Sequence, residues 1–157
     1  MSSNNHLVNH FRNSDLISDN TLHVIGVITN PVRWQTRIAL FRAWVKEMLS
    51  TPNVKLYVVE ATYKDRKPEC SPLPGENYSY LNVVTQSEIW LKENLINLGE
   101  SRLLPNDWKY MAWVDCDVHF RDPNWALNTI HQLQHYNILQ PSALALNFSF
   151  FGKMRLI

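Results

Sequence analysis

Glycine is scarce in this chain, which has only 4 glycines in 157 residues. No Gly-x-Gly-x-x-Gly follows the first apolar run, and no glycine-rich loop ends in Gly-Lys-Ser or Gly-Lys-Thr. Those patterns supply the backbone N–H groups that cradle phosphates in Rossmann dinucleotide-binding proteins and in P-loop nucleotidases. Neither class is supported, and any phosphate bound by this chain needs a cation instead.

Three other features are missing. The net charge is only +1 and no run of Lys or Arg occurs, so we expect no nucleic-acid partner. Two cysteines, Cys70 and Cys116, do not form a disulfide framework, and we expect Cys116 to be a reduced core thiol. There is no signal peptide and no run of about 18 apolar residues that spans a bilayer, so the expected location is cytoplasmic.

Apolar runs alternate with stretches of helical periodicity along most of the chain. This alternation predicts a layered α/β/α fold with a mostly parallel central sheet. Residues 1–20 are expected to form a polar N-terminal arm, and residues 21–157 one domain. Within that domain the sequence predicts strands at 22–28, 54–59, 80–85, 109–114 and from 137 to 140, and helices just after Pro31, from Thr85 or Ser87, and at Asp122-Pro123.

Two aspartates, Asp115 and Asp117, follow the fourth predicted strand. If the strand continues, residues i and i+2 point to the same side, and the two carboxylates repel each other unless a cation compensates them. Mg²⁺ and Mn²⁺ are bound by one or two carboxylates plus substrate phosphates. The pair is also typical of turn-forming aspartates. Because Thr29, Asn30 and Glu60 fall at the same edge of the sheet, where α/β proteins bind ligands, we favour a metal site.

The stretch from 89 to 140 resembles a known family. It contains I-W-L-K-E-N-L-I-N-L-G, then L-P-N-D-W-K-Y-M-A-W-V-D-C-D-V-H-F, then D-P-N-W-A and H-Y-N-I-L-Q-P. Together with the preceding strand, helix and acid-ended strand, it is similar to the nucleotide-sugar-binding half of a family-2-like glycosyltransferase with the GT-A fold. The resemblance covers roughly residues 22–140. It implies an enzyme that transfers a sugar from a UDP- or GDP-sugar to an unknown acceptor.

The resemblance also implies how the donor's diphosphate is held. Asp115 and Asp117 match the family's Asp-x-Asp motif, which binds the Mn²⁺ or Mg²⁺ that bridges the diphosphate. Lys92 lies on the helix before this motif and is expected to face a phosphate. The same ion neutralises the leaving diphosphate as the glycosidic bond breaks.

Further residues are matched to the nucleotide. Thr29, Asn30 and Pro31 match the loop after the first strand, which borders the nucleotide in the family. Glu60 matches the acid after the second strand, which commonly meets the base or ribose. Residues 97–99 are similar to an Asn-x-Gly segment beneath the nucleotide.

Alternatives remain open because no catalytic residue is identified. No acidic residue follows Asp122, and the apolar ending reads like a truncated chain. The second hypothesis is therefore a catalytically incomplete nucleotide-sugar-binding remnant or scaffold. A weaker one is a haloacid-dehalogenase-type phosphotransferase, because Asp-x-Asp-x-Val after an apolar strand resembles its nucleophile motif. That motif needs a later lysine and a later acidic pair.

Three histidines and one tryptophan are further candidate ligands. His131 and His135 have the i, i+4 spacing of a zinc pair, but the glutamate of the metalloprotease motif is missing, so we expect a surface pair. His119 is interpreted as a hydrogen-bonded rim histidine. Trp125 is considered as a platform for a sugar ring.

Overall fold

The computed structural model describes residues 20–87, 89 and 91–142, together with the backbone at 146–148 and 154–156. Residues 1–19 of the predicted arm lie outside this part. No helix within it is long and apolar enough to cross a membrane. The elements in chain order are β1 (Leu22–Thr29), α1 (Gln35–Ser50), β2 (Val54–Tyr63), β3 (Ser79–Thr85), α2 (Lys92–Leu103), β4 (Tyr110–Trp113), α3 (Trp125–Leu133), β5 (Leu146–Phe148) and β6 (Met154–Leu156).

Four strands form one parallel sheet in the order β3-β2-β1-β4. The predicted α/β architecture is therefore confirmed. After β1 the chain places β2 and then β3 on one side, and it later returns to place β4 on the other side of β1. The order of the strands thus reverses between β1 and β4, and ligands of open α/β sheets bind in the crevice at such a point. The short strands β5 and β6 pair with each other antiparallel.

Helices cover both faces of the sheet. On one face, α1 and α3 pack through Phe41, Val45 and Ile130. On the other face, α2 packs through Leu95 against Ile25 of β1. Residues 22–28 of β1 are buried throughout, as the continuous apolar run predicts for a strand covered on both faces.

Several elements differ from the sequence predictions; for example, α3 begins at Trp125, after Asn124, rather than at Asp122-Pro123. The first helix begins at Gln35 rather than just after Pro31, because Asn30 accepts a hydrogen bond from the backbone N–H of Trp34 and its carbonyl accepts one from Arg33, so the chain turns there first. The second helix begins at Lys92, later than predicted. The predicted strand at 137–140 is wrong, since these residues form bends and loop and pair with no strand among the described residues.

Candidate functional site

A crevice of about 510 Å³ opens at the carboxyl edge of the sheet, between the ends of β1 and β4. Its walls come from those two strand ends and from the first turns of α1 and α2. An apolar flank is formed by the exposed side chains of Trp34 and Leu40. The charged residues in its lining are two acids and two bases: Asp115, Asp117, Lys92 and Arg37.

The two aspartates lie on a turn rather than within a strand. The regular pairing of β4 with β1 ends at Trp113, and one further hydrogen bond joins the N–H of Val114 to the carbonyl of Ile25 at 3.1 Å. The chain then turns, with the N–H of Val118 donating to the carbonyl of Asp115 at 3.1 Å. The prediction that strand geometry aligns the carboxylates is wrong, although both aspartates are exposed and line the same crevice.

Cys116, between the two aspartates, points into the core. Its side chain is buried, and its Sγ lies 3.5 Å from the carbonyl oxygen of Val27. Burial raises the pKa of the Cys116 thiol well above its usual range, and the charges of Asp115 and Asp117 raise it further. The thiol is free and buried, as predicted. It anchors the middle of the turn, so that the residues on either side face the crevice.

Two cations complete the crevice. Lys92 is the first residue of α2, and its ammonium group forms an ion pair with the carboxylate of Asp115. Arg37 lies in the first turn of α1 and donates to the carbonyl of Thr29 at 2.7 Å. The sequence prediction included Lys92 but missed Arg37. A usable signal was its position, because a basic residue in the first turn of a helix that follows a parallel strand lies at the ligand-binding edge.

The donor set restricts which metals fit this crevice. Among the described residues there is no group of three or more His, Cys, Asp or Glu side chains that could hold an ion. Asp115 and Asp117 offer carboxylate oxygens only, which is what Mg²⁺ or Mn²⁺ requires when waters and substrate phosphates supply the remaining ligands. The residues present therefore fit a hard divalent ion that binds together with a phosphorylated ligand.

A second, smaller crevice adjoins the first on the β2 side. It is lined by Thr29, Asn30, Pro31, Glu60 and Arg66, among others, so the structure brings the predicted nucleotide residues of the first two strands together. Thr29 lines both crevices, and the two therefore meet at the end of β1. Arg66 donates a hydrogen bond to the carbonyl of Pro31, which closes the small crevice on its outer side.

Glu60 differs from the sequence prediction in its position and surroundings. It lies within β2 rather than after it, because β2 continues to Tyr63 in register with β3. Its side chain is only 3% exposed. The carboxylate accepts hydrogen bonds from the N–H groups of Glu69 at 2.8 Å and Cys70 at 3.0 Å, and from the hydroxyl of Tyr80. Glu60 therefore fastens the loop after β2 to the sheet.

The predicted Asn-x-Gly segment lines neither crevice in the structure. Gly99 is buried against the sheet, where an added Cβ would lie 3.0 Å from Val59 Cγ2 and 3.1 Å from Ile25 Cγ2. Its small size allows α2 to approach the strands closely. It lies seven residues, or about 10 Å, along the helix from Lys92, which places it well below the carboxyl edge.

The remaining candidate ligands also lie elsewhere. His119 is hydrogen-bonded, as predicted, with its Nδ1 2.6 Å from the carboxylate of Glu47, but it lines neither crevice. His131 and His135 are exposed, as predicted for a surface pair. The suggestion that Trp125 offers a sugar platform is wrong, because its ring is buried and stacked on Phe120 with 3.9 Å between centroids.

Comparison with protein-family models gives no match, and comparisons with characterised proteins and with solved structures give none either. A functional conclusion therefore depends on the two adjoining crevices and on the chemistry of the side chains that line them.

Proposed function

We propose that the crevice between β1 and β4 binds the diphosphate of a nucleotide sugar through a divalent cation on Asp115 and Asp117. The protein would then be a metal-dependent glycosyltransferase with a GT-A-like donor site. One observation carries this proposal: Asp115 and Asp117 face a large crevice at the point where the strand order reverses, with Lys92 and Arg37 in its walls. Two carboxylates beside two positively charged side chains suit a complex of a metal ion with a diphosphate better than they suit the metal ion or the diphosphate alone.

Acidic and basic residues around the crevice would contact different parts of the metal–diphosphate complex. Asp115 and Asp117 would hold Mn²⁺ or Mg²⁺, which supplies Lewis-acid stabilisation of the leaving diphosphate. Lys92 and Arg37 approach from two different helices and can neutralise the phosphate oxygens that face away from the cation. Their long side chains hold the diphosphate as the bond to the sugar breaks.

The smaller crevice is the proposed place of the nucleoside. It meets the larger one at Thr29, so a ligand whose diphosphate lies by Asp115 can extend its ribose and base past Asn30 and Pro31. In this arrangement Glu60 acts indirectly, because its carboxylate already holds the loop that carries Arg66. UDP and GDP are both candidate nucleotides.

A second candidate follows from the acidic residues of the chain. Besides Asp115 and Asp117, the described acids that line the crevices are Glu69 and Glu60, whose carboxylate is bound to the loop after β2, so no residue is assigned as the general base of an inverting transferase. The chain would in that case bind the donor without transferring its sugar. The haloacid-dehalogenase hypothesis is less well supported, because it needs a further acidic pair, and no described acid besides Asp115 and Asp117 lines the larger crevice.

Calorimetric titration of the full chain with UDP and with GDP, each with and without Mn²⁺, tests the donor site. The Asp115→Asn/Asp117→Asn double variant should lose at least about 100-fold in Mn²⁺-dependent nucleotide affinity, because both carboxylate ligands are neutralised. Asp107→Asn is the matched control, since this exposed aspartate lies in the turn before β4, at the opposite edge of the sheet. A folded protein that binds neither nucleotide, or a double variant that binds as well as the native chain, would contradict the proposal.

Release of UDP or GDP from a nucleotide sugar separates the two candidates. A transferase hydrolyses its donor slowly even without an acceptor, and this release should require Mn²⁺ and disappear in the double variant. Tight, Mn²⁺-dependent binding with no release in the presence of candidate acceptors would support the binding-only alternative.

A further inference from the structure

The ion pair between Lys92 and Asp115 occupies the place where a cation would bind. The ammonium group contacts Oδ1 of Asp115, and the two side chains are 25% and 55% exposed. Among the described residues, no ion pair involves Asp117. One carboxylate of the proposed metal site is therefore already neutralised by a side chain, while the other faces the crevice.

The position of Lys92 is unfavourable for the helix that carries it. A positive charge at a helix N-terminus opposes the helix dipole, and α2 has no side-chain cap, although Glu93 in the same turn supplies a favourable negative charge. Asp115 compensates the charge of Lys92 from outside the helix. The main partner of Lys92 is therefore the crevice carboxylate rather than its own helix.

An ammonium group on Oδ1 of Asp115 repels a divalent ion that approaches the same carboxylate, so the two positive charges compete there. The ammonium group of a lysine can move away from Asp115, since it sits on a flexible four-carbon stem. The group can move across the crevice by side-chain rotation while α2 stays in position. Phosphate oxygens of a bound nucleotide would be the nearest new partner.

We infer that Lys92 takes the place of the cation on Asp115 in the metal-free protein and transfers to the diphosphate when the cation binds with its nucleotide. This inference rests on the proposed function. Lys92 then opposes binding of the metal alone and favours binding of metal and nucleotide together. The two ligands therefore bind with positive coupling, beyond the direct contact between the ion and the phosphates.

The test compares Mn²⁺ binding without nucleotide to nucleotide binding with Mn²⁺. Lys92→Met should bind Mn²⁺ alone about three- to tenfold more tightly than the native chain, because a competing charge is removed. The same variant should bind UDP or GDP with Mn²⁺ about tenfold more weakly, because a charged phosphate contact is lost. The loss of free Mn²⁺ signal in electron paramagnetic resonance measures the first affinity, and calorimetry measures the second.

Two further variants control the comparison. Lys92→Arg keeps the positive charge and should bind Mn²⁺ alone as weakly as the native chain does. Lys46→Met removes the charge of an exposed lysine on α1 that lines neither crevice, and it should change neither affinity. Circular dichroism spectra and melting curves establish that each variant is folded.

The possible outcomes separate this inference from the proposed function. Opposite changes in the two affinities of Lys92→Met support the exchange. If Lys92→Met binds Mn²⁺ alone no more tightly than the native chain, while the native chain binds metal and nucleotide, the exchange is overturned and the donor site stands. If neither chain binds Mn²⁺ or nucleotide, both proposals fail.

Discussion

The two halves of the carboxyl edge use their acidic residues in opposite ways. On the β2 side, the carboxylate of Glu60 is buried and accepts three hydrogen bonds from the protein itself. On the β1–β4 side, Asp115 and Asp117 are exposed, and the ion pair with Lys92 is held by a movable side chain. Acidic residues near the same edge of the sheet thus serve the fold in one case and leave carboxylates available for a ligand in the other.

The β2 side is reinforced by a second clamp from α1. The guanidinium group of Arg42 donates to the carbonyls of Glu69 at 2.8 Å and Ser71 at 3.1 Å, and it pairs with the carboxylate of Glu76 at 3.2 Å. The loop after β2 is therefore held from the strand below and from the helix beside it. This half of the edge has little freedom to rearrange around a ligand.

Replacing Glu60 tests the structural half of the comparison and should have the largest effect. Glu60→Ala should lower the free energy of unfolding by about 3–5 kcal/mol, because it removes a buried acceptor and leaves its donors unpaired. Asp115→Ala should change it by no more than about 0.5 kcal/mol, as expected for an exposed side chain. Urea denaturation measures both. Equal losses in the two variants would show that the two halves of the edge do not differ.

Gly26 of β1 packs between the core residue Trp44 and Cys116, which lies in the turn that carries the two aspartates. An added Cβ would lie 2.4 Å from Trp44 Cη2 and 2.9 Å from Cys116 Sγ, so Gly26→Ala should destabilise the fold by about 1–3 kcal/mol through overpacking. It should also weaken Mn²⁺-dependent nucleotide binding, because Cys116 anchors the turn of the aspartates.

Gly99→Ala is the control for this change. Its added Cβ would meet only side-chain methyl groups, at 3.0 Å and 3.1 Å, and alanine gains helix propensity over glycine there. We expect a smaller loss of stability than for Gly26→Ala, because Val59 and Ile25 need to shift by only a few tenths of an ångström, and no change in nucleotide binding. A Gly26→Ala variant as stable as Gly99→Ala would contradict the proposed contact with the turn.

Alkaline pH should weaken the β2 side by a smaller amount. Burial, followed by the charge of Glu60, raises the pKa of the Cys70 thiol far above its ordinary value of 9.0, and burial also raises the pKa of Tyr78 to about 12. A group with a raised pKa in the folded state stabilises the fold below its unfolded pKa, and that contribution is lost as the pH rises. Stability should therefore fall above pH 9.

The Cys70→Ala variant measures how much of the loss of stability at alkaline pH comes from the Cys70 thiol. Between about pH 8 and pH 10 the variant should lose about 1.4 kcal/mol less stability than the native chain, because its unfolded state has no such thiol to ionise. Urea denaturation at a series of pH values gives the slope. Parallel slopes for the two chains would indicate that Cys70 ionises as readily in the folded protein as in the unfolded one.

Much of the fold follows from local patterns in the sequence. The continuous apolar run predicts β1 as a strand buried on both faces, and the spacing of Phe41, Val45 and Met48 predicts the inner face of α1. The boundaries were less accurate because side chains at the ends of elements decide them. Asn30 delays α1 by forming a turn, and pairing with β3 extends β2 past Glu60.

The site was predictable only where strand ends show which residues share an edge. The position of Asp115, Asp117 and Thr29 at the same edge was predicted in this way. The partners of Glu60 were not, because Glu69 and Cys70 lie in a loop without periodicity and Tyr80 lies on another strand. Hydrogen bonds between residues distant in sequence depend on tertiary packing, which no local pattern encodes.

The strand order also has a consequence for how the chain folds. The larger crevice exists only when β4 has docked beside β1, from which it is separated in sequence by α1, β2, β3 and α2. Contacts between such distant segments close slowly and form late. A ligand that touches both strand ends binds only the fully assembled sheet, so it stabilises the native state by mass action. Saturating concentrations of metal and nucleotide would therefore slow the separation of β4 from β1.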